Sequence, residues 1–280
     1  MSEDIRRQEN LRQPYIKFGA GAILWLLCLQ LLVVKAIVKR TWPVPYNARV
    51  NYISDLGAVN CQYHVHRLTL FADAICSPHH MWMNISFVLQ GVLMCLGCLL
   101  LRSLFARTRL SSLALFMIFF TGLMMMVLGL APEDTHEHRH TIAAIGHSFF
   151  QNVGLILLGI SLLRRRHVFA LWGWMTTCAG IVGFLFAVLM FFRNHLAPGY
   201  LGLGPGGIQQ LSLYPSLLWF AGSALFILLR CRVLCDESRS HVLAPTSNRK
   251  EAKRSLRAPS FLKPQVRDIA AFTFRKTGRS

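Results

Sequence analysis

Six long apolar runs dominate this chain, each about 20 residues and therefore long enough to cross a hydrocarbon core about 30 Å thick. They cover residues 18–38, 81–101, 110–130, 141–163, 168–192 and 207–229, and none holds an Asp or Glu. With 54 % of residues hydrophobic and only 15 % charged, a soluble globule is a poor reading of this chain. The first run is too long for a signal-peptide core, and no small-x-small site follows it before Lys39-Arg40, so it is read as a retained span. The expected fold class is all-α: a polytopic integral membrane protein of six transmembrane helices.

The formal charge of +18 would suggest nucleic acid in a soluble protein. Here the basic residues lie between the apolar runs and in one tail, where orientation in the bilayer explains them, so no nucleic-acid partner is expected. An even number of spans puts both ends on one side. Arg6, Arg7, Arg12 and Lys17 precede the first span, Arg102, Arg107 and Arg109 flank the second connection, and Arg164, Arg165 and Arg166 the fourth. With the tail they make 23 of the 30 Lys and Arg residues, which places the N-terminus and C-terminus in the cytoplasm.

Three parts follow: a cytoplasmic segment 1–17, a six-helix domain 18–229 and a basic tail 230–280. The tail carries thirteen basic and four acidic residues, broken by Pro245, Pro259 and Pro264, and reads as disordered. It either adheres to anionic lipid, at about 1 kcal/mol per basic residue close to the surface, or merely fixes topology. Lys35, near the outer end of the first span, is expected to snorkel toward the headgroups.

Polar chemistry collects on the outward side, where nine of eleven histidines and five of twelve carboxylates fall. In "CSPHHMWMNISF", Pro78 suits a helix start and sets His80 and Asn84 four apart on one helical face. In "APEDTHEHRHTIAAIGHSFFQN", Asp134 lies in a turn, and His140, Ala144, His147 and Gln151 follow an i, i+4, i+7, i+11 stripe. His147 lies deep enough that it must face the bundle interior or a polar cavity.

His80, His140 and His147 are candidate metal ligands, and zinc is the cofactor such a site would take, activating water for hydrolysis. There is no His-Glu-x-x-His pair, and two helical histidines seven apart sit about 10 Å apart along the axis. The other readings are a hydrogen-bonded polar cluster joining helix ends and a pocket for a lipid headgroup or small ligand. Cys61 and Cys76, on the outward side, form a candidate disulfide whose fifteen-residue loop would contribute about 3 kcal/mol.

The stretch "NYISDLGAVNC" joins the first span to this loop. Ser54 and Asp55 hydrogen-bond nearby amides readily, and with Gly57 they make good turn or cap chemistry. Asp55 either caps its own turn or pairs with a histidine such as His140, and a pairing that holds helices together is expected.

"YISDLG" after the first span, "FVLQG" in the second and "PED" followed by His140 before the fourth resemble the six-span membrane family catalogued as domain of unknown function 998. The resemblance covers roughly residues 18–229. It implies no reaction, only that Ser54, Asp55, Gly57, Pro132, Asp134 and His140 fall on the family's recurrent positions. A looser similarity to DRAM/Sfk-type membrane proteins implies a role in lipid organisation or membrane trafficking, although this chain has Ala58-Val59-Asn60-Cys61 where those proteins have a Pro-Glu-rich stretch.

The expected function is that of a membrane protein, most simply of the plasma membrane, binding lipid headgroups or a small ligand at a polar cluster of Ser54, Asp55, His80, Asn84, Asp134, His140 and His147. The alternatives are a membrane-embedded metal-dependent lipid hydrolase, with Asp55, His80, Asp134, His140 and His147 as ligands or acid/base groups, and a transporter. A transporter needs polar residues along the membrane midplane, and the spans show few.

Overall fold

The computed structural model describes residues 16–43, 45–66, 71–105, 108–164, 170–191 and 202–243 of the chain. Among them six helices are long and apolar enough to cross a membrane: α1 Ile16–Thr41, α2 His80–Phe105, α3 Arg109–Leu130, α4 Glu137–Leu163, α5 Ala170–Phe191 and the Gly204–Cys231 part of α6. The architecture is all-α and polytopic, as the runs of apolar residues imply. Whole, α6 extends from Gly204 to Leu243 with Pro215 inside it. Its helical course past Cys231 departs from the disorder expected from residue 230 onward; residues 244–280 and 1–15 lie outside the described residues. By its internal contacts the chain divides into Met1–Cys231 and Arg232–Ser280.

Two larger apolar clusters lie toward opposite ends of the bundle, and a smaller third one joins Tyr52, Met190 and Ile208. At the far end Trp25 of α1 is fully buried, with ring centroids 5.8 Å from Phe105, 5.3 Å from Trp219 and 5.0 Å from Phe220. Such aromatic pairs are worth about 0.5–1.5 kcal/mol beyond their burial. Gly97 of α2 makes room for the indole, since a Cβ there would collide with it. At the other end Leu56 and Ile75 from the long connection after α1 pack with Met83 and Phe87 of α2 and Met125 and Leu128 of α3.

That connection carries a small hairpin. Strand β1 Gln62–His66 pairs antiparallel with β2 Phe71–Ile75, from Gln62 opposite Ile75 to His66 opposite Phe71. Cys61 and Cys76, immediately outside the Gln62–Ile75 pair, are disulfide-bonded with Cα atoms 4.1 Å apart. The expected disulfide is present, and it closes the base of a two-stranded hairpin, an element that is marginal by itself in water.

Two further local features belong to the helices. Midway along α1, Cys28, Leu29, Leu31 and Leu32 donate to the carbonyls three residues back, a tightening to 3-10 geometry. Within it, Gln30 Nε2 donates to the Ser86 carbonyl (3.0 Å) and Gln30 Oε1 accepts from Ser86 Oγ (2.8 Å). At the start of α3, Thr108 and Ser111 form a reciprocal capping box.

Candidate functional site

Ser-Asp-Leu-Gly folds as one 3-10 turn, Ser54–Gly57, and all four residues are buried. Asp55 Oδ2 accepts from the Tyr52 amide at 2.8 Å and its backbone carbonyl accepts from Ala58 N at 3.2 Å, so this carboxylate caps its own turn. Three other segments then bond to the turn and its flanks. Asn84 of α2 donates through Nδ2 to the Gly57 carbonyl (2.9 Å), Ser77 Oγ donates to the Leu56 carbonyl (2.7 Å), and Ile53 N donates to Gln209 Oε1 of α6 (2.6 Å). Gly57 suits this crowding, because a Cβ there would displace the Asn84 amide that bonds the turn.

Asp134, in the turn between α3 and α4, reaches the same loop from a fourth direction. Its oxygens accept from Val59 N (3.0 Å), Asn60 N (2.7 Å) and Asn60 Nδ2 (2.9 Å). An ionised acceptor with three donors is a strong clamp, since such bonds are about twice as strong as neutral ones. Of the seven cluster residues read from the sequence, Ser54 and Asp55 thus lie in the turn, Asn84 bonds to it, and Asp134 bonds to Val59 and Asn60 just after it.

The histidines make their own local contacts. His80 Nδ1 lies 3.1 Å from the Ser77 carbonyl. His140 Nδ1 lies 2.8 Å from the Ala131 carbonyl, and its Nε2 lies 4.0 Å from Glu133 Oε2. A carbonyl only accepts, so both Nδ1 atoms carry hydrogen and both Nε2 atoms are left to face other partners. His147 is buried deep in α4. Among the described residues no three His, Cys, Asp or Glu side chains gather as metal ligands, so His80, His140 and His147 do not assemble a zinc site. Glu133, buried beside His140, is the acidic neighbour that the sequence reading passed over.

Lys35 corrects an expectation. Instead of snorkelling to headgroups it is 7 % exposed, and its ammonium donates to Gln210 Oε1 (2.7 Å) and Tyr214 Oη (2.6 Å) of α6. Tyr214 Oη also donates to Gln210 Oε1 at 2.9 Å, closing a triangle. Packing α6 against α1 decides this, because a partnered interior ammonium needs no route to water. The signal was present in Gln210 and Tyr214, four apart on one helical face, but nothing in a linear reading aligns α6 with α1.

The bilayer-facing side of α2 carries a different feature. Met81, Ile85 and Leu89 are exposed at helical spacing, and with Val88, Val92 and Leu130 they wall a groove of about 610 Å³. Its hairpin end is bounded by Val59, His80 and Asn84. The groove is thus almost wholly apolar along its length and polar at one end.

No curated protein and no solved structure matches this chain. The looser similarity to DRAM/Sfk-type proteins is not confirmed by a match. The model of one family, described as "Protein of unknown function (DUF998)", matches residues 20–225. That match reaches from α1 into α6 and takes in the Ser54–Gly57 turn with every segment that bonds to it, so this six-span chain belongs to that family.

Proposed function

We propose that this protein binds a membrane lipid, seating an acyl chain in the groove along α2 and its headgroup at His80. The observation that carries the reading is the groove itself: about 610 Å³, apolar along α2 and α3, and ending at an imidazole and an amide. A lipid has that same division between an apolar chain and a polar end. With Nδ1 held by the Ser77 carbonyl, His80 presents Nε2 to the headgroup. It accepts from a hydroxyl or ammonium when neutral and donates to phosphate when protonated. The Ser54–Gly57 turn and Asp134 serve this site structurally, by fixing Val59 and Asn84 at the groove's end.

In this reading the hairpin end faces the outside of the plasma membrane, supported by the Cys61–Cys76 bond, which persists on an oxidising side. The basic tail then lies against anionic lipid of the inner leaflet. The hydrolase reading loses ground because its candidate ligands are dispersed and the Asp55 carboxylate is engaged by its own turn.

A lipid carrying a photoreactive group in its acyl chain tests the proposal in reconstituted bilayers. Crosslinks are expected to concentrate on Met81–Val92, and Leu89→Trp, which fills the groove, is expected to abolish them. Leu225→Trp, on an exposed position of α6, is expected to change nothing. Crosslinks spread evenly over all exposed helix faces would reduce the groove to ordinary lipid contact and overturn the reading.

A further inference from the structure

Between the two apolar clusters, in the middle of the bundle, lies a small cavity of about 20 Å³. It is bounded by Gln90 of α2, His147 and Gln151 of α4, Tyr214 and Ser216 of α6, and by apolar side chains. His147 is 6 % exposed and Gln151 only 1 %. Both ring nitrogens of His147 and both amide atoms of Gln151 are buried without a hydrogen bond among the described residues. The Thr121 backbone faces the imidazole, outside hydrogen-bond geometry. Four such atoms in a hydrocarbon-like interior are expensive to leave unpaired. A cavity needs only about 10–15 Å³ of this kind of space to hold one water, and a water there needs two to four polar partners.

We propose that one internal water occupies this cavity and bridges His147 to Gln151, extending the Lys35 network into a hydrogen-bonded path from the hairpin end to mid-membrane. The chemistry closes at each step. Lys35 donates to Tyr214 Oη and Gln210, and Tyr214 gives its own hydrogen to Gln210. The phenol oxygen keeps a lone pair, and Tyr214 lines the cavity. The water donates to that oxygen or to a ring lone pair, and accepts from the Gln151 amide or the ring N–H. Gln90, across the cavity, receives the Gln30 amide at 3.4 Å. Lys35, Tyr214 and His147 are the titratable groups along this path.

The path is one-sided. Toward the far end it meets Met94, Leu217 and Phe220, which line the cavity, and then Trp25 with its aromatic partners. His147 is therefore an ionisable group in the membrane interior that communicates with the hairpin side and is sealed from the other. This inference is independent of the lipid groove, which lies on the outer face of α2.

Water-edited solid-state NMR of the full protein in bilayers tests it, with the His147 ring and the Gln151 amide as reporters. Rapid transfer of magnetisation from water to both groups is expected, while the buried Trp25 indole N–H stays dry. Tyr214→Phe removes one link, and loss of transfer at His147 with an unchanged backbone fingerprint is expected. His147 and Gln151 as dry as Trp25 in the unmodified protein would overturn the proposal. Transfer undiminished in Tyr214→Phe would overturn the path through Lys35.

Discussion

A buried ammonium among neutral oxygens makes opposite predictions for its two sides. Lys35→Met removes the charge together with the need to solvate it, keeps most of the volume, and leaves Tyr214 bonded to Gln210. A loss of less than about 1.5 kcal/mol is expected, because near-isosteric apolar replacements are the best tolerated. Tyr214→Phe instead strips one acceptor from a charge that stays buried, and a loss of roughly 1–3 kcal/mol is expected. Thermal unfolding in detergent checks both, and Lys35→Met costing more than Tyr214→Phe would contradict this account. The same residue shows a limit of linear reading. Position and length made Lys35 a snorkelling residue; its partners lie on α6, far along the chain.

At the scale of elements, the Cys61–Cys76 bond tethers the β1–β2 hairpin at its base. Replacing both cysteines by serine, or adding reductant, is expected to lower stability by about 3 kcal/mol for a loop of this length. Reductant acting on the double variant as strongly as on the parent protein would contradict it. The bond itself was legible from the placement of two cysteines in one outward connection. The strands were not, because a two-stranded element this short is marginal by itself and its pairing is set by where the disulfide joins the chain. The turn Ser54–Gly57 was legible as turn chemistry, since Asp, Ser and Gly favour turns wherever they lie. That the turn and its flanks, Ile53 before it and Val59 and Asn60 after it, are where α2, α6 and the α3–α4 connection bond was not. Asp55 caps its own turn through Oδ2, since the Tyr52 amide lies three residues away and closing so short a loop costs little chain entropy.

For the whole molecule, the positive-inside pattern makes a direct prediction. In intact cells an epitope at the C-terminus is expected to be hidden until the membrane is permeabilised. An impermeant thiol reagent is expected to label Cys61 and Cys76 only after external reduction. The reverse pattern would invert the orientation and move the groove's polar end to the cytoplasmic leaflet. The sequence by itself determined the number, length and order of the spans, because the hydrocarbon core imposes a one-dimensional rule on runs of apolar residues. Tertiary structure alone decided which polar side chains meet. Gln30 with Ser86, Lys35 with Tyr214, and Asp134 with Asn60 are pairs set by helix rotation and packing, which apolar length does not encode.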